Sequence, residues 1–182
     1  MRKIHMETPR LVLKTLGPNS AGKTLAFYED NKNFLEEYEP LRLPYFYTKA
    51  HQKQLLKWDL DGYHHASLVR VWIFTKEKPE KPIGTIALSN ITRGVFQSCF
   101  LGYKIDFDHK EQGYMSEALF KMLQYAFSDM KLHRIEANIM PRNLASLNLV
   151  QKFGFEHEGL AKKYLKINGV WEDHIHMVLL NE

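Results

Sequence analysis

The sequence predicts an α+β domain in three layers, with a mixed, mostly antiparallel central sheet of about seven strands flanked by helices. Three observations carry this. Leu68–Thr75, Ile83–Ile91 and Val95–Ile105 read as successive strands joined only by the polar run Lys76–Pro82 and the turn Thr92-Arg93-Gly94, and connections that short require antiparallel pairing. Beyond Gly113, Met115, Ala118, Leu119, Met122, Leu123, Ala126 and Phe127 recur at helical spacing, the mark of one buried helix face. Near the C-terminus Asn168-Gly169 divides two extended segments, a hairpin signal.

The other elements follow from local rules. Arg10–Leu16 reads as a first strand. Ser20 reads as the N-cap of a helix through Tyr28, and Asn33–Tyr38 as a short helix ended by Pro40. Leu41–Tyr47, with Pro44, is a loop. Thr48 caps a helix to about Leu60 that Asp61-Gly62 stops. His133–Met140 is a strand. Asn143 caps the helix after it, and Gly154 suits the left-handed position beyond its end. An extended segment to Leu165 and the strand Val170–Leu180 close the sheet. No repeat or linker divides the 182 residues, so residues 1–182 read as a single domain.

Composition narrows the function classes. The sequence is 45% hydrophobic and 25% charged, typical of a soluble globular protein. A lone cysteine, Cys99, allows no internal disulfide and no cysteine metal cluster, which points to a reducing cytoplasm. The N-terminus lacks the apolar stretch of a secretory signal, and no apolar run approaches a membrane span. The net charge of +4 fits an anionic ligand or a ribonucleoprotein partner, and equally a lysine-rich surface. His64-His65 and the spaced pair His174/His176 lack a third ligand at close spacing, so no metal is expected.

Gly17-Pro-Asn-Ser-Ala-Gly-Lys-Thr24 matches the phosphate-binding P-loop pattern letter for letter, between a strand and a helix. Three arguments oppose that reading. The strands run in succession rather than alternating with helices. No apolar strand ends in an Asp for magnesium, since Leu55–Asp59 is helix-like. Pro18 also removes one N–H from the proposed cradle.

The strand-to-helix junction Asp108–Glu117 is a second candidate anion site. Helix starts carry unpaired N–H groups and the positive dipole end, although an ordinary turn before an amphipathic helix has the same pattern. Within it, Lys110-Glu-Gln-Gly-Tyr-Met115 resembles the coenzyme A loop of the GNAT acetyltransferases, written Gln/Arg-x-x-Gly-x-Gly/Ala. After Asn138, the run Asn143-Leu-Ala-Ser146-Leu-Asn-Leu149-Val-Gln-Lys152-Phe-Gly154-Phe155 resembles the same superfamily's Asn-x-x-Ser-x-x-Leu-x-x-Lys-x-Gly-Phe signature. Ser89-Asn90, Arg93-Gly94, Leu101-Gly102-Tyr103, Arg134, Met140-Pro141, Glu158-Gly159 and Asp173-His174 are similar to the RimJ/RimL-type ribosomal-protein-alanine/serine N-acetyltransferases. The resemblance spans about Arg10 to Leu180. It departs at Lys110, which is neither Gln nor Arg, at Met115, which is not small, and at Glu111, which stands where glycine is frequent.

The resemblance implies the GNAT fold and transfer of an acetyl group from acetyl-CoA to an amine. Tyr103, Lys104 and Ile105 would pair their strand with the pantetheine arm. Amides of Gln112, Gly113, Tyr114, Met115 and Ser116 would hold the diphosphate. Lys110 and Lys152 are candidate phosphate cations or plain surface lysines. Asn138 would belong to the cofactor-binding set, and Asn143, most simply a cap, would also reach the pantetheine amides. Where many relatives place a tyrosine this chain has Val150, which leaves Ser146 to protonate the departing thiolate, unless it serves only the helix start. A backbone N–H of Leu101–Tyr103 is the candidate oxyanion donor. An α-amino acceptor, with a pKa near 8, needs no strong base; Glu158, Asp173 and His174 are the weak candidates, a structurally partnered Asp173 being the alternative. The aromatics Phe34, Tyr38, Tyr45, Phe46, Tyr47 and Trp58 suit either a peptide groove or a core.

The expected acceptor is a protein N-terminus, alanine or serine, ribosomal proteins included. A small amine such as a polyamine, antibiotic or amino acid is the close variant. A non-catalytic ribosome- or RNA-associated factor is the alternative of another class, and monomer and homodimer both stay open.

Overall fold

The computed structural model describes residues 4–181. Among the described residues eight strands form one sheet: β1 (His5–Glu7), β2 (Leu11–Lys14), β3 (Val69–Thr75), β4 (Pro82–Thr92), β5 (Ser98–Ile105), β6 (Arg134–Ile139), β7 (Glu156–Ile167) and β8 (Val170–Leu180). Their order is β1-β2-β3-β4-β5-β6-β8-β7. Every neighbouring pair is antiparallel except β5 and β6, which run parallel. The strand count exceeds the expected seven because His5–Glu7 folds back on β2, with Met6 opposite Leu13.

The helices α1 (Ala21–Asp30), α2 (Lys32–Leu35) and α3 (Lys49–His64) cover one face of the sheet. There Phe27, Tyr28, Leu35, Phe46 and Leu56 pack on Trp72 and Phe74. On the other face lie α4 (Tyr114–Gln124), continued by a π-helical turn at Tyr125–Asp129, and α5 (Leu144–Gln151). Met115, Ala118, Leu119, Met122 and Val150 meet Leu101, Ile135, Ala137 and Ile139 of the sheet in this second core. Among the described residues no helix is long and apolar enough to cross a membrane.

Several local expectations hold. The Thr48 hydroxyl accepts from His51 N–H at 3.2 Å, and Asn143 Oδ1 from Ser146 N–H at 3.1 Å. Asn168 and Gly169 adopt φ of 43° and 83°, the paired positive angles of a type I′ hairpin turn. Two bounds shift, the third of the successive strands starting at Ser98 rather than Val95 and the short helix being Lys32–Leu35 rather than Asn33–Tyr38, and two expectations fail. Ser20 makes no side-chain cap, because a 3-10 turn at Pro18–Ser20 runs straight into α1 and leaves Ser20 outside the extended conformation a cap requires. Helix α3 runs through Gly62 to His64. That glycine serves close packing rather than termination, since a Cβ there would sit 2.8 Å from Leu68 Cβ.

The P-loop match forms no phosphate cradle. Thr24 is fully buried, its hydroxyl donating to the Ala21 carbonyl at 3.2 Å. The preceding strand β2 pairs antiparallel on both sides, so the parallel strand–loop–helix unit of a P-loop enzyme is absent.

Candidate acetyl-CoA and acceptor site

The parallel ladder between β5 and β6 lasts only from Ser98/Arg134 to Phe100/Glu136. Beyond it each strand stays paired on its outer side, β5 with β4 as far as Ile105 and β6 with β8 as far as Ile139. The inner edges of Leu101–Ile105 and Ala137–Ile139 therefore face a slot that opens through the sheet. Unpaired edge groups in such a slot are a template for an extended, amide-bearing ligand. Asn138 lies two residues into the opening, and its Oδ1 is buried without a hydrogen-bond partner among the described residues. A buried orphan acceptor costs stability unless a ligand donor reaches it, and the pantetheine arm carries two amide N–H groups.

The loop Lys110–Gly113 sits where β5 passes into α4. Gly113 caps α4 with φ 79°, a left-handed conformation that glycine adopts without steric cost. Among the described residues, the backbone N–H groups of Gln112, Gly113, Tyr114, Met115 and Ser116 find no acceptor. Five consecutive free donors at a helix start suit a diphosphate. The side chains of Lys104 and Lys110 are both engaged away from the loop amides. Lys110 Nζ lies 4.0 Å from the Phe107 ring centre and 4.7 Å from that of Phe34, so its charge rests on aromatic faces rather than at the loop. The Lys104 side chain is half-buried and ion-pairs with Glu39; desolvation draws its ammonium down to about 8. Its backbone remains on the slot edge. Lys152, at the far end of α5, is exposed.

Arg10 is the part of the loop that sequence reading missed. Its Nε donates to Glu117 Oε2 at 2.6 Å and its Nη1 to the Gln112 carbonyl at 3.0 Å. Its guanidinium also lies 4.4 Å from the Tyr114 ring centre. Burial raises the Glu117 carboxyl, but hydrogen bonds from Thr8 and from the backbone and side chain of Arg10 outweigh it and hold the group below the usual range. A residue from the bend between β1 and β2 thus fixes the loop more than a hundred positions later. No local pattern announces such a contact.

Glu111 adopts φ 59°, which explains why glycine suits this position. It also carries a negative charge one residue before the free amides. A like charge about 4 Å away costs about 1 kcal/mol in water. Glu111→Gly is accordingly expected to tighten coenzyme A binding about three- to tenfold in calorimetry, with the gain shrinking as salt rises. Equal affinities at low salt would show that the loop does not face the phosphates.

Two faces meet at the slot. On the α4/α5 side, Tyr103 Oη lies 2.6 Å from Ser146 Oγ and 3.2 Å from the Ser146 carbonyl. Burial pushes the Tyr103 phenol up to about 12, despite the opposing hydrogen bond with Ser146. The phenol therefore stays protonated near neutrality and holds Ser146 at the slot wall. Tyr103 was expected there for its backbone; its side chain proves equally placed. Asn143 is first a helix cap. On the α1–α3 side, the clamp of Lys104, Glu39 and Arg42 joins β5 to the segment after α2, and Asn168 N–H donates to the Glu39 carbonyl at 2.9 Å. Arg142 spans from Glu37 at 3.0 Å to Glu172 at 3.2 Å. Together these contacts tie the segment after α2 to β5 and to the β7–β8 hairpin.

The weak base candidates are all engaged elsewhere. Glu158 forms a two-point pair with Arg134 at 2.6 Å. Asp173 Oδ1 accepts from Lys163 N–H at 2.7 Å, the structural alternative. His174 is buried with Nδ1 3.0 Å from the Glu172 carbonyl. The aromatics divide. Phe46 is core; Phe34 and Tyr47 flank that core; Tyr45 and Trp58 are exposed. Burial raises the Cys99 thiol to about 12, which leaves it inert. Among the described residues no cluster of three or more metal-ligating side chains occurs.

Comparison with known proteins agrees with this geometry. The acetyltransferase (GNAT) domain family matches residues 10–156. A probable N-acetyltransferase of Bacillus subtilis, YjcK, is 37% identical over 171 residues, covering 94% of each chain. The [ribosomal protein uS5]-alanine N-acetyltransferase of Escherichia coli is 35% identical, over 95% of this chain and 89% of its own. The crystal structure of a ribosomal-protein-S5-alanine acetyltransferase from Vibrio fischeri superposes with a TM-score of 0.93 at 32% identity, covering 98% and 97% of the two chains. The fold is also that of Mycobacterium smegmatis RimJ, solved in complex with CoA-disulfide, with a TM-score of 0.87 at 24% identity over 93% of this chain and 81% of that one. A split parallel strand pair, a left-handed glycine at a helix start and a family match across most of the sequence converge: the chain belongs to the GNAT acetyltransferases.

Proposed function

We propose that the chain works as a single acetyltransferase domain that moves the acetyl group of acetyl-CoA to the α-amino group of a protein N-terminus, alanine or serine, ribosomal proteins being the prime candidates. The observation that carries the reading is the slot between β5 and β6, bordered by orphan Asn138 Oδ1 and leading to the free amides of Gln112–Ser116. Names of relatives that act on ribosomal protein S5 support the acceptor class, and the cytoplasm, where ribosomes form, is the matching location.

In this reading the edge of Tyr103–Ile105 and the side chain of Asn138 align the pantetheine arm. The amides of Gln112–Ser116 hold the diphosphate. A backbone N–H from Leu101–Tyr103 stabilises the oxyanion as the amine attacks. Ser146 then protonates the thiolate, its hydroxyl oriented by the Tyr103 phenol 2.6 Å away. The test is thiol release from acetyl-CoA with an Ala-leading peptide, set against spermidine and a free amino acid. Turnover favouring the peptide at least tenfold agrees with the reading. Preference for a small amine would move the acceptor class, and no turnover with any amine, alongside RNA binding, would favour a non-catalytic factor.

A further inference from the structure

On the α1–α3 face of the sheet stands a histidine–carboxylate pair, Glu136 on the last rung before the slot and His176 one strand behind it. Phe100 and Glu136 are opposed across the last rung between β5 and β6, and Asn138 is opposed to His176 across β6 and β8. Directly opposed residues share a face. Glu136, Asn138 and His176 therefore lie on the same side as Lys104, whose partner Glu39 belongs to the segment after α2. Ser146 and Tyr103 lie on the opposite side, packed with α4 and α5.

His176 Nδ1 is 2.7 Å from Glu136 Oε1, and its ring centre lies 5.3 Å from that of Tyr164. The second oxygen of Glu136 accepts from Arg134 at 3.0 Å, and Arg134 is anchored in turn by both oxygens of Glu158. Burial raises the Glu136 carboxyl, yet hydrogen bonds from His176, Arg134 and Asn138 more than offset this and leave it lowered. An ionised Glu136 accepts the Nδ1 proton. That fixes the tautomer and leaves the Nε2 lone pair without a partner among the described residues. A carboxylate orienting a histidine is the arrangement of general-base sites. The charged and titratable groups around the ring are Glu136 and Arg134 on β6, Glu158 and Tyr164 on β7, and His174 on β8.

We propose that His176 Nε2, positioned by Glu136, takes the proton from the incoming α-ammonium group. This rests on the acetyltransferase reading above. The proton balance uses both faces of the sheet. His176 accepts the first proton, and the freed amine attacks the thioester carbon. The C–S bond breaks, the thiolate receives a proton from Ser146, and the second amine proton returns to Ser146. His176 releases its proton to solvent. A base on one face of the sheet and an acid on the other then handle different protons.

The test compares kcat/KM for an Ala-leading peptide across pH 6–9.5 in wild type, His176→Leu, His176→Gln and Glu136→Gln. An α-amino group with pKa near 8 is mostly protonated at pH 6.5 and neutral at pH 9.5. The dyad predicts that both His176 variants lose about 100-fold at pH 6.5 and come within about threefold of wild type at pH 9.5. Glu136→Gln shows a smaller loss, about tenfold, with the same closing at high pH. Coenzyme A affinity by calorimetry stays unchanged in all three. Retained Tm in at least one His176 variant guards against misfolding, and unfolding of both would overturn a purely catalytic role. A gap that stays constant with pH, or no gap, overturns the proposal while leaving the acetyltransferase reading intact. A wild type that acetylates no amine overturns both.

Discussion

Ser146→Ala lowers kcat for acetyl transfer by about 100-fold or more, with the fold and the affinity for acetyl-CoA unchanged. The size follows from the role assigned to one hydroxyl. Positioned proton transfer contributes two to four orders of magnitude, and Val150 offers no replacement on the same helix. The fold survives because Ser146 contributes to α5 through its backbone. Its N–H meets Asn143 Oδ1, and its carbonyl keeps the Tyr103 phenol at 3.2 Å. Tyr103→Phe removes the orienting hydroxyl but not the donor, so it costs less. Steady-state kinetics with saturating acetyl-CoA measures both. Full activity in Ser146→Ala would remove the residue from the mechanism and leave it as part of a helix start.

Gly113→Val is expected to weaken coenzyme A binding by about 10- to 100-fold. A β-branched residue at φ 79° is strained wherever the space lies, at about 1–3 kcal/mol, and each 1.4 kcal/mol is a factor of ten in affinity. The added Cβ would also stand 3.3 Å from Arg10 Nη2. Arg10 cannot easily yield, being tied to Glu117, to the Gln112 carbonyl and to the Tyr114 ring. The strain is relieved by turning the amides of Gln112–Ser116 out of register, which is where the diphosphate is held. Calorimetry with coenzyme A reads the loss directly, and Tm falls by about 2–4 °C per kcal/mol for a chain of this size. Unaltered affinity with lowered Tm would separate the loop's structural role from any role in binding.

The legible parts of this protein are those written in neighbouring residues. Gly113, Asn143, Thr48 and the Asn168-Gly169 turn each act within a few positions of themselves, so local rules find them. Strand succession from Val69 to Ile105 revealed the antiparallel sheet, and the motif spacing revealed the loop and α5. What stayed hidden joins distant segments. Arg10 with Glu117, Tyr103 with Ser146, Lys104 with Glu39 and Glu136 with His176 are pairs that only the folded sheet brings together. The same reason defeats composition at the aromatics: Tyr45, Phe46 and Tyr47 are consecutive, yet one is exposed, one buried and one half-buried. The P-loop match shows the converse error. Its letters are all present, but Thr24 turns into the core and no parallel strand supports the loop.

The claim beneath every step is that acetyl-CoA lies in the slot between β5 and β6 with its diphosphate on the start of α4. Backbone amide hydrogen exchange with and without coenzyme A tests it most directly. The account predicts protection on binding at Gln112–Ser116 and along Tyr103–Ile105, with Gly17–Thr24 unchanged. Protection at Gly17–Thr24, or none at the α4 start despite saturating ligand, would contradict it.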